Sequence, residues 1–292
     1  MVALFAISAA FFNSLAIFFT RIGLRHYSPF TAFVISLVSL LVVSVTLALF
    51  TVPSDWFTNP AVLYFIAAGF IGPFLGRMLF YTGIGRVGAA IASPLHSTKS
   101  LFATLAAVAI LGESLTLPMA LAILLIIVGA ASISSEEGGG TIEKKWAKKD
   151  LLFPIMSSAC LGIASLLRKF GLNDLPSPVL GVAVQNVTVL FLLPGLFLTQ
   201  RNTTRAISTE KRAWFIFSLA GLCLVASQLT LFYALNSGLV LIAVPLSSLN
   251  PLFVIILVTA FLQKAERVTV KIVLGTLFII GGAAMLTVNS LG

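Results

Sequence analysis

The sequence predicts an all-α membrane protein with ten transmembrane helices, arranged as two inverted five-helix repeats. Three observations carry this. First, ten apolar segments, at 2–20, 29–50, 61–83, 87–111, 117–133, 151–172, 178–198, 213–235, 239–262 and 270–288, are each 17 to 25 residues long. That length suits a helix rising about 1.5 Å per residue across roughly 30 Å of hydrocarbon. Second, the last five segments repeat the plan of the first five. Five is odd, so the second copy starts from the opposite face of the bilayer. Third, the basic residues sort to one side of that arrangement.

Taken in order, the segments show the repeat in their residues. Segment one has no basic residue ahead of its apolar stretch, so 1–10 reads as part of a first span and not as a cleaved leader. Segments two and seven both start at Ser-Pro, Ser28-Pro29 and Ser177-Pro178. Segment three holds Gly72-Pro73 and Gly76, which can kink a helix and free backbone groups. Its Leu79-Phe80-Tyr81 matches Leu231-Phe232-Tyr233 of segment eight. Segments four and nine align at an offset of 151, through Pro94-Leu95 with Pro245-Leu246 and Leu101-Phe102 with Leu252-Phe253. Segments five and ten align at 153, through Glu113-Ser114-Leu115-Thr116 with Glu266-Arg267-Val268-Thr269, and again where Gly129-Ala130-Ala131 meets Gly282-Ala283-Ala284. Ordered matches at nearly constant offset argue for duplication over chance likeness among Leu-rich helices. The polar stretch 134–150, with Gly138-Gly139-Gly140 and four lysines, joins the halves. The expected units are therefore a first repeat at 1–133, a linker at 134–150 and a second repeat at 151–292.

Composition excludes several classes. With 59% hydrophobic and 9% charged residues and a mean hydropathy of +1.10, the chain is not a soluble globule. Cys160 and Cys223 both fall inside spans and imply neither a disulfide nor a metal site. No Gly-rich phosphate loop is present, which argues against ATP-driven transport by this chain alone. All nine acidic residues, Asp55, Glu113, Glu136, Glu137, Glu143, Asp150, Asp174, Glu210 and Glu266, stand at span ends or in loops. With no carboxylate at membrane depth and no clustered His or Cys, no catalytic or metal-binding residue is assigned and an enzyme is not expected. Fourteen of the eighteen basic residues, Arg21, Arg25, Arg86, Lys144, Lys145, Lys148, Lys149, Arg201, Arg205, Lys211, Arg212, Lys264, Arg267 and Lys271, fall on the side of the odd-numbered loops. Only Arg168 and Lys169, near a helix end, belong to the other side. Cytoplasmic loops are enriched in Lys and Arg, so the basic side is expected inside, with both termini extracytoplasmic. The net charge of +9 thus reflects orientation and not nucleic-acid binding.

Two cations are left inside the spans. Lys99 lies twelve residues from each end of segment four, roughly 18 Å from either interface, and a lysine stem of about 6 Å does not reach out. It must face a wet cavity or a partner, which makes it a candidate for substrate binding, with a lysine held by helix oxygens as the structural alternative. His96, three residues earlier on the same face, suits substrate binding or proton carriage, or a neutral ring satisfied by a hydroxyl. Ser93 and Ser100 extend the polar stripe. The 151 offset carries His96 to Ser247 and Lys99 to Asn250, so the second half offers a matching but uncharged stripe. Arg77 is the second cation and Gln228 lies in the matching region of segment eight; snorkelling to the nearby end is the alternative for Arg77. Asn13, Gln185 and Asn186 are polar at depth and serve as ligand contacts or interhelical glue. Tyr81 and Tyr233 read as interfacial anchors, and Gly129 with Gly281-Gly282 as sites of close helix packing, including between subunits of a homodimer.

Ten spans in two halves, each closing with a Glu-x-x-Thr start and a Gly-Ala-Ala span, resemble the EamA-type transporters of the drug/metabolite transporter (DMT) superfamily, over nearly the whole chain. Leu111-Gly112-Glu113 fits the family's step before the fifth span. The second half has Lys264-Ala265-Glu266 there, and Ser100 stands where Pro251 aligns. The resemblance implies export or exchange of a small metabolite by alternating access, driven by an ion gradient, a proton or a counter-substrate, with no resident cofactor. It also implies the usual orientation with cytoplasmic termini, opposite to the charge distribution. Lys99, with Arg77 and His96, favours a carboxylate or phosphate on the substrate, or a zwitterion whose amine meets Asn250 or Ser247. The expectation is a plasma-membrane secondary transporter with a midplane site between the repeats. The alternatives are a flippase for an anionic lipid head group and a non-transporting membrane sensor.

Overall fold

The computed structural model describes residues 1–53, 56, 58–111, 116–135, 140–141, 146–199, 207–238, 240–263 and 265–289. Of the residues singled out above, Asp55, Gly112, Glu113, Ser114, Leu115, Glu136, Glu137, Gly138, Gly139, Glu143, Lys144, Lys145, Arg201, Arg205 and Lys264 lie outside them.

The chain is nearly all helical. Helices α1 (Val2–Leu24) and α2 (Pro29–Thr51) are followed by α3 (Val62–Gly69), a π-helical turn (Phe70–Gly76) and α4 (Arg77–Val87), which together form one long rod. Then come α5 (Ala89–Ser97), α6 (Lys99–Leu111) and α7 (Leu117–Ser134). The second half holds α8 (Leu152–Asp174), α9 (Pro178–Thr199), α10 (Lys211–Ser237), α11 (Val240–Ser247), α12 (Asn250–Phe261) and α13 (Val270–Asn289). Two-residue strands, β1 (Gly140–Thr141) from the linker and β2 (Glu266–Arg267), pair antiparallel with Thr141 opposite Glu266.

Seven segments among the described residues are long and apolar enough to cross a membrane, and 117–133 and 270–285 are shorter apolar helices. The surface agrees with lipid as solvent: Phe50, Phe191, Phe215, Phe261 and Val270 are each more than 70% exposed. Water would not tolerate such a belt, whereas acyl chains do.

Helix starts follow from short polar caps. Ser28 Oγ accepts from Thr31 N at 3.1 Å and Ser177 Oγ from Leu180 N at 3.3 Å, each with Pro at the first helical position. Thr116 Oγ1 and Thr269 Oγ1 likewise accept from Met119 N and Ile272 N, both at 3.4 Å. The repeat therefore extends to individual hydrogen bonds.

The expected continuous fourth and ninth spans are instead broken helices. Segment 87–111 divides at Thr98 into α5 and α6, and the ninth divides between Ser247 and Asn250 into α11 and α12. Hydroxyls at the breaks turn back on their own helix: Thr98 Oγ1 donates to Leu95 O at 2.7 Å, Ser247 Oγ to Val244 O at 2.7 Å, and Ser248 Oγ to Val244 O at 2.9 Å. Such local bonds compete with the helical ladder, and Pro251 offers no N–H to mend it.

The halves interlock. α1 packs on α10, α11 and α12, while its counterpart α8 packs on the α3–α4 rod, α5 and α6. α2 meets α10 as α9 meets α3. The outer pair α7–α13 approaches backbone to backbone: a Cβ on Gly129 would lie 2.5 Å from Gly275 O, and one on Gly282 2.6 Å from Ala122 O. Gly129 and Gly282 thus serve packing inside the chain, where the sequence reading had also allowed a contact between subunits.

Candidate functional site

Between the halves lies a cavity of about 770 Å³ including its mouth, walled by α1, the π turn, α4, α5, α6, α8, α10 and α11. The π turn contains Pro73, whose missing N–H and ring bulk disfavour a regular α ladder, and it delivers Arg77 to the cavity wall. Arg77 is buried, so the guanidinium is turned inward and does not snorkel. Lys99 also lines the cavity. It is not in mid-helix as the hydropathy suggested; it is the first residue of α6, just past the break.

A third cation joins them. Arg168, assigned from sequence to the region near a helix end, is buried and lines the same cavity, with its Cζ 5.4 Å from the centre of the Phe232 ring. α8 runs on to Asp174, so Arg168 stands six residues, about 9 Å, inside the helix end. Its neighbour Lys169 turns away and donates to Leu235 O at 2.9 Å and Gly238 O at 3.0 Å, fastening the end of α10. Among the described residues, Arg77, Lys99 and Arg168 have no carboxylate partner, and Arg77 Nη1 and Arg168 Nε have no hydrogen bond.

His96 lines the cavity with its ring stacked on Phe80, centroids 3.8 Å apart, and Nδ1 3.1 Å from Ser157 Oγ. Asn13, Gln228 and Ser247 line it as well. Gln228 Oε1 accepts from Asn186 Nδ2 at 3.3 Å. Two of the expected contacts are placed elsewhere. Asn250 is fully buried and clasps α5, donating to Ser93 Oγ at 3.1 Å and accepting from Ser97 Oγ at 3.0 Å, so its amide is already satisfied. Gln185 is buried away from the cavity lining, with both amide atoms unpartnered among the described residues. Tyr81, expected as an interfacial anchor, is buried, lines the cavity and lies 3.3 Å from Ser36 Oγ.

The sequence reading missed one structural group at the basic face. Arg21 pairs with Glu266, and its Nη2 donates to Thr141 Oγ1 at 2.9 Å. The same carboxylate accepts from Ala89 N and Ala90 N, both at 2.7 Å, and so caps α5. Gly88, with φ of 89°, makes the turn that allows this; a Cβ there would sit 2.9 Å from the Glu266 carboxyl carbon. Nearby, Arg86 Nη1 pairs with Asp150 Oδ1 at 2.6 Å. The repeat-matched Glu-x-x-Thr pattern had singled out Glu266, but only as a helix-start motif.

The fold has a known counterpart. A solved crystal structure of a protein described without an activity superposes with a TM-score of 0.70 at 13% identity, over 99% of this chain and 97% of that one, which shows a shared fold. No curated protein matches the sequence. The sequence profile of the EamA-like transporter family, however, matches residues 1–135 and again 148–288, one match to each half. The chain therefore belongs to the EamA-like transporter family, and is a multi-pass membrane transporter of the drug/metabolite transporter superfamily.

Proposed function

We propose that the chain is a secondary active transporter, exporting or exchanging a small polar metabolite that bears a carboxylate or phosphate. It would work by alternating access around the cavity between the halves, with ten crossings of the plasma membrane and the Arg21 face inward. The observation that carries this is the set of three buried cations, Arg77, Lys99 and Arg168, around one cavity with no carboxylate partner among the described residues. An uncompensated buried charge is costly, and an anionic ligand relieves it. The position of Lys99 adds to this. A lysine at a helix N-terminus opposes the helix dipole, whereas an anion there is favoured.

A second reading, a flippase for an anionic lipid head group, is favoured by an apolar recess between α2, α3 and α9. It is lined by Leu49, Ile66, Ala183, Val187 and Phe191, of which Leu49 and Phe191 face the surroundings. A thermal-shift screen separates the two. Carboxylates and phosphates at about 100 times Kd should stabilise the purified protein by about 2.7 kcal/mol, with the effect lost in Lys99→Met and in Arg168→Met. Stabilisation by anionic phospholipid alone would favour the flippase. Stabilisation by lipophilic cations, unchanged in the variants, would sink both.

A further inference from the structure

Most hydroxyl groups around the cavity have committed their hydrogens; Thr20 Oγ1, which has no hydrogen-bond partner among the described residues, keeps its own. Ser165 Oγ donates to Leu161 O at 2.8 Å, Ser227 Oγ to Ala9 O at 2.8 Å and Ser247 Oγ to Val244 O at 2.7 Å. Ser36 Oγ donates to Phe33 O at 3.2 Å, so the hydrogen shared between Ser36 and Tyr81 comes from Tyr81. A hydroxyl has one hydrogen, so each of these cavity oxygens faces a ligand with lone pairs only. Ser157 settles His96 by the same count. Its hydrogen goes to Gly76 O at 2.6 Å, so across the 3.1 Å contact His96 Nδ1 must be the donor. A neutral imidazole with its hydrogen on Nδ1 presents Nε2 as an acceptor. Nε2 has no hydrogen-bond partner among the described residues, and the ring is held in the wall by the Phe80 stack.

The cavity therefore combines donors, the three cations with the Thr20 hydroxyl and the amides of Asn13 and Gln228, with a set of hydroxyl and imidazole acceptors. A bare anion such as sulfate or succinate satisfies the cations and leaves the acceptors facing lone pairs. We infer that the site selects an anion carrying its own hydrogen-bond donor beside the charge, such as an α-hydroxy or α-amino carboxylate or a hydrogen phosphate, and that His96 Nε2 accepts from that donor. This rests on the anion reading above and sharpens it to a ligand class. Sites built to bond a ligand's OH or NH reject the analogue lacking it, because their own polar groups are left unpaired.

The test is direct binding to the full chain in detergent, using matched pairs: malate against succinate, glutamate against glutarate, and inorganic phosphate against sulfate at pH 7. The donor-bearing member of at least one pair should bind about tenfold more tightly, the worth of roughly one hydrogen bond. His96→Asn places an amide nitrogen near Nδ1 and can keep the Ser157 contact, but it removes Nε2. The preference should collapse toward one in this variant, while His96→Gln, whose amide oxygen reaches the Nε2 position, should keep part of it. Equal binding within every pair overturns the donor inference and leaves the anion reading standing. Binding of none of the six overturns both. A preference that survives in His96→Asn overturns the role of Nε2. Should that variant fail to fold, the wild-type ratios still decide the ligand class.

Discussion

Tyr27 shows how a single contact at the basic face can be checked. Its Oη donates to Glu210 Oε2 at 2.5 Å, tying the α1–α2 turn to the start of α10. That hydrogen bond, reinforced by the carboxylate's negative charge, raises the phenol above its usual value of 10.0. A phenol raised in the folded state contributes its stability below about pH 10 and loses it as pH climbs through the folded value. Glu210→Gln should lower the pH at which Tyr27 ionises, read as the part of the ultraviolet titration that Tyr27→Phe removes. A Tyr27 titration unmoved by Glu210→Gln would show that the contact does not persist in solution. Residue by residue, the sequence was legible where a charge lay far from any span end. Lys99 stands out on depth alone, His96 by its spacing from Lys99, and Arg77 only beside the snorkelling alternative; all three line the cavity. Arg168 did not stand out, because α8 continues past the apolar segment. Tyr81 did not either, because a tyrosine near a span end has the same pattern whether it faces lipid or a cavity.

Among the elements, α7 and α13 make the most easily tested claim. Their backbones touch at Gly129 and Gly275, so a side chain at either position must push the helices apart. Gly129→Val should lower stability by about 1–3 kcal/mol, read by reversible denaturation in detergent. A neutral effect would mean that α7 and α13 are not held this closely. The caps at Ser28, Ser177, Thr116 and Thr269 were readable, because Ser-Pro and Glu-x-x-Thr are local signals. The breaks in the fourth and ninth spans were not. Hydropathy averages over a window and is blind to whether hydroxyls at Thr98, Ser247 and Ser248 bond back to their own helix. Asn250 was misjudged for a related reason: its spacing matched Lys99, yet spacing carries no information about the serines of α5 that satisfy it.

At the scale of the whole molecule, Arg21 and Glu266 tie α1 of the first half to the approach to α13 in the second, just beyond the point where Thr20 lines the cavity. Losing a charge-assisted bond of about 1.5–3 kcal/mol corresponds to a population shift of about tenfold or more. In a Thr20→Cys chain lacking Cys160 and Cys223, Glu266→Gln should therefore speed labelling by a membrane-impermeant maleimide applied from the Arg21 face by about that factor. An unchanged rate would show that this pair does not close the path. The two-half plan itself was legible through its odd span number and constant offsets, but the way the halves embrace was not, since no local pattern states which helices meet. That embrace bears on biogenesis. All nine residues of α5 are buried, and while α4 of its own half covers one side, α8, α12 and α13, with the carboxylate on its first amides, come from the later half. While the ribosome is still making the second half, α5 has no finished surroundings. The N-terminal half is therefore an unfinished core until the C-terminal half arrives, and a truncated chain ending near residue 135 should be a substrate for membrane quality control.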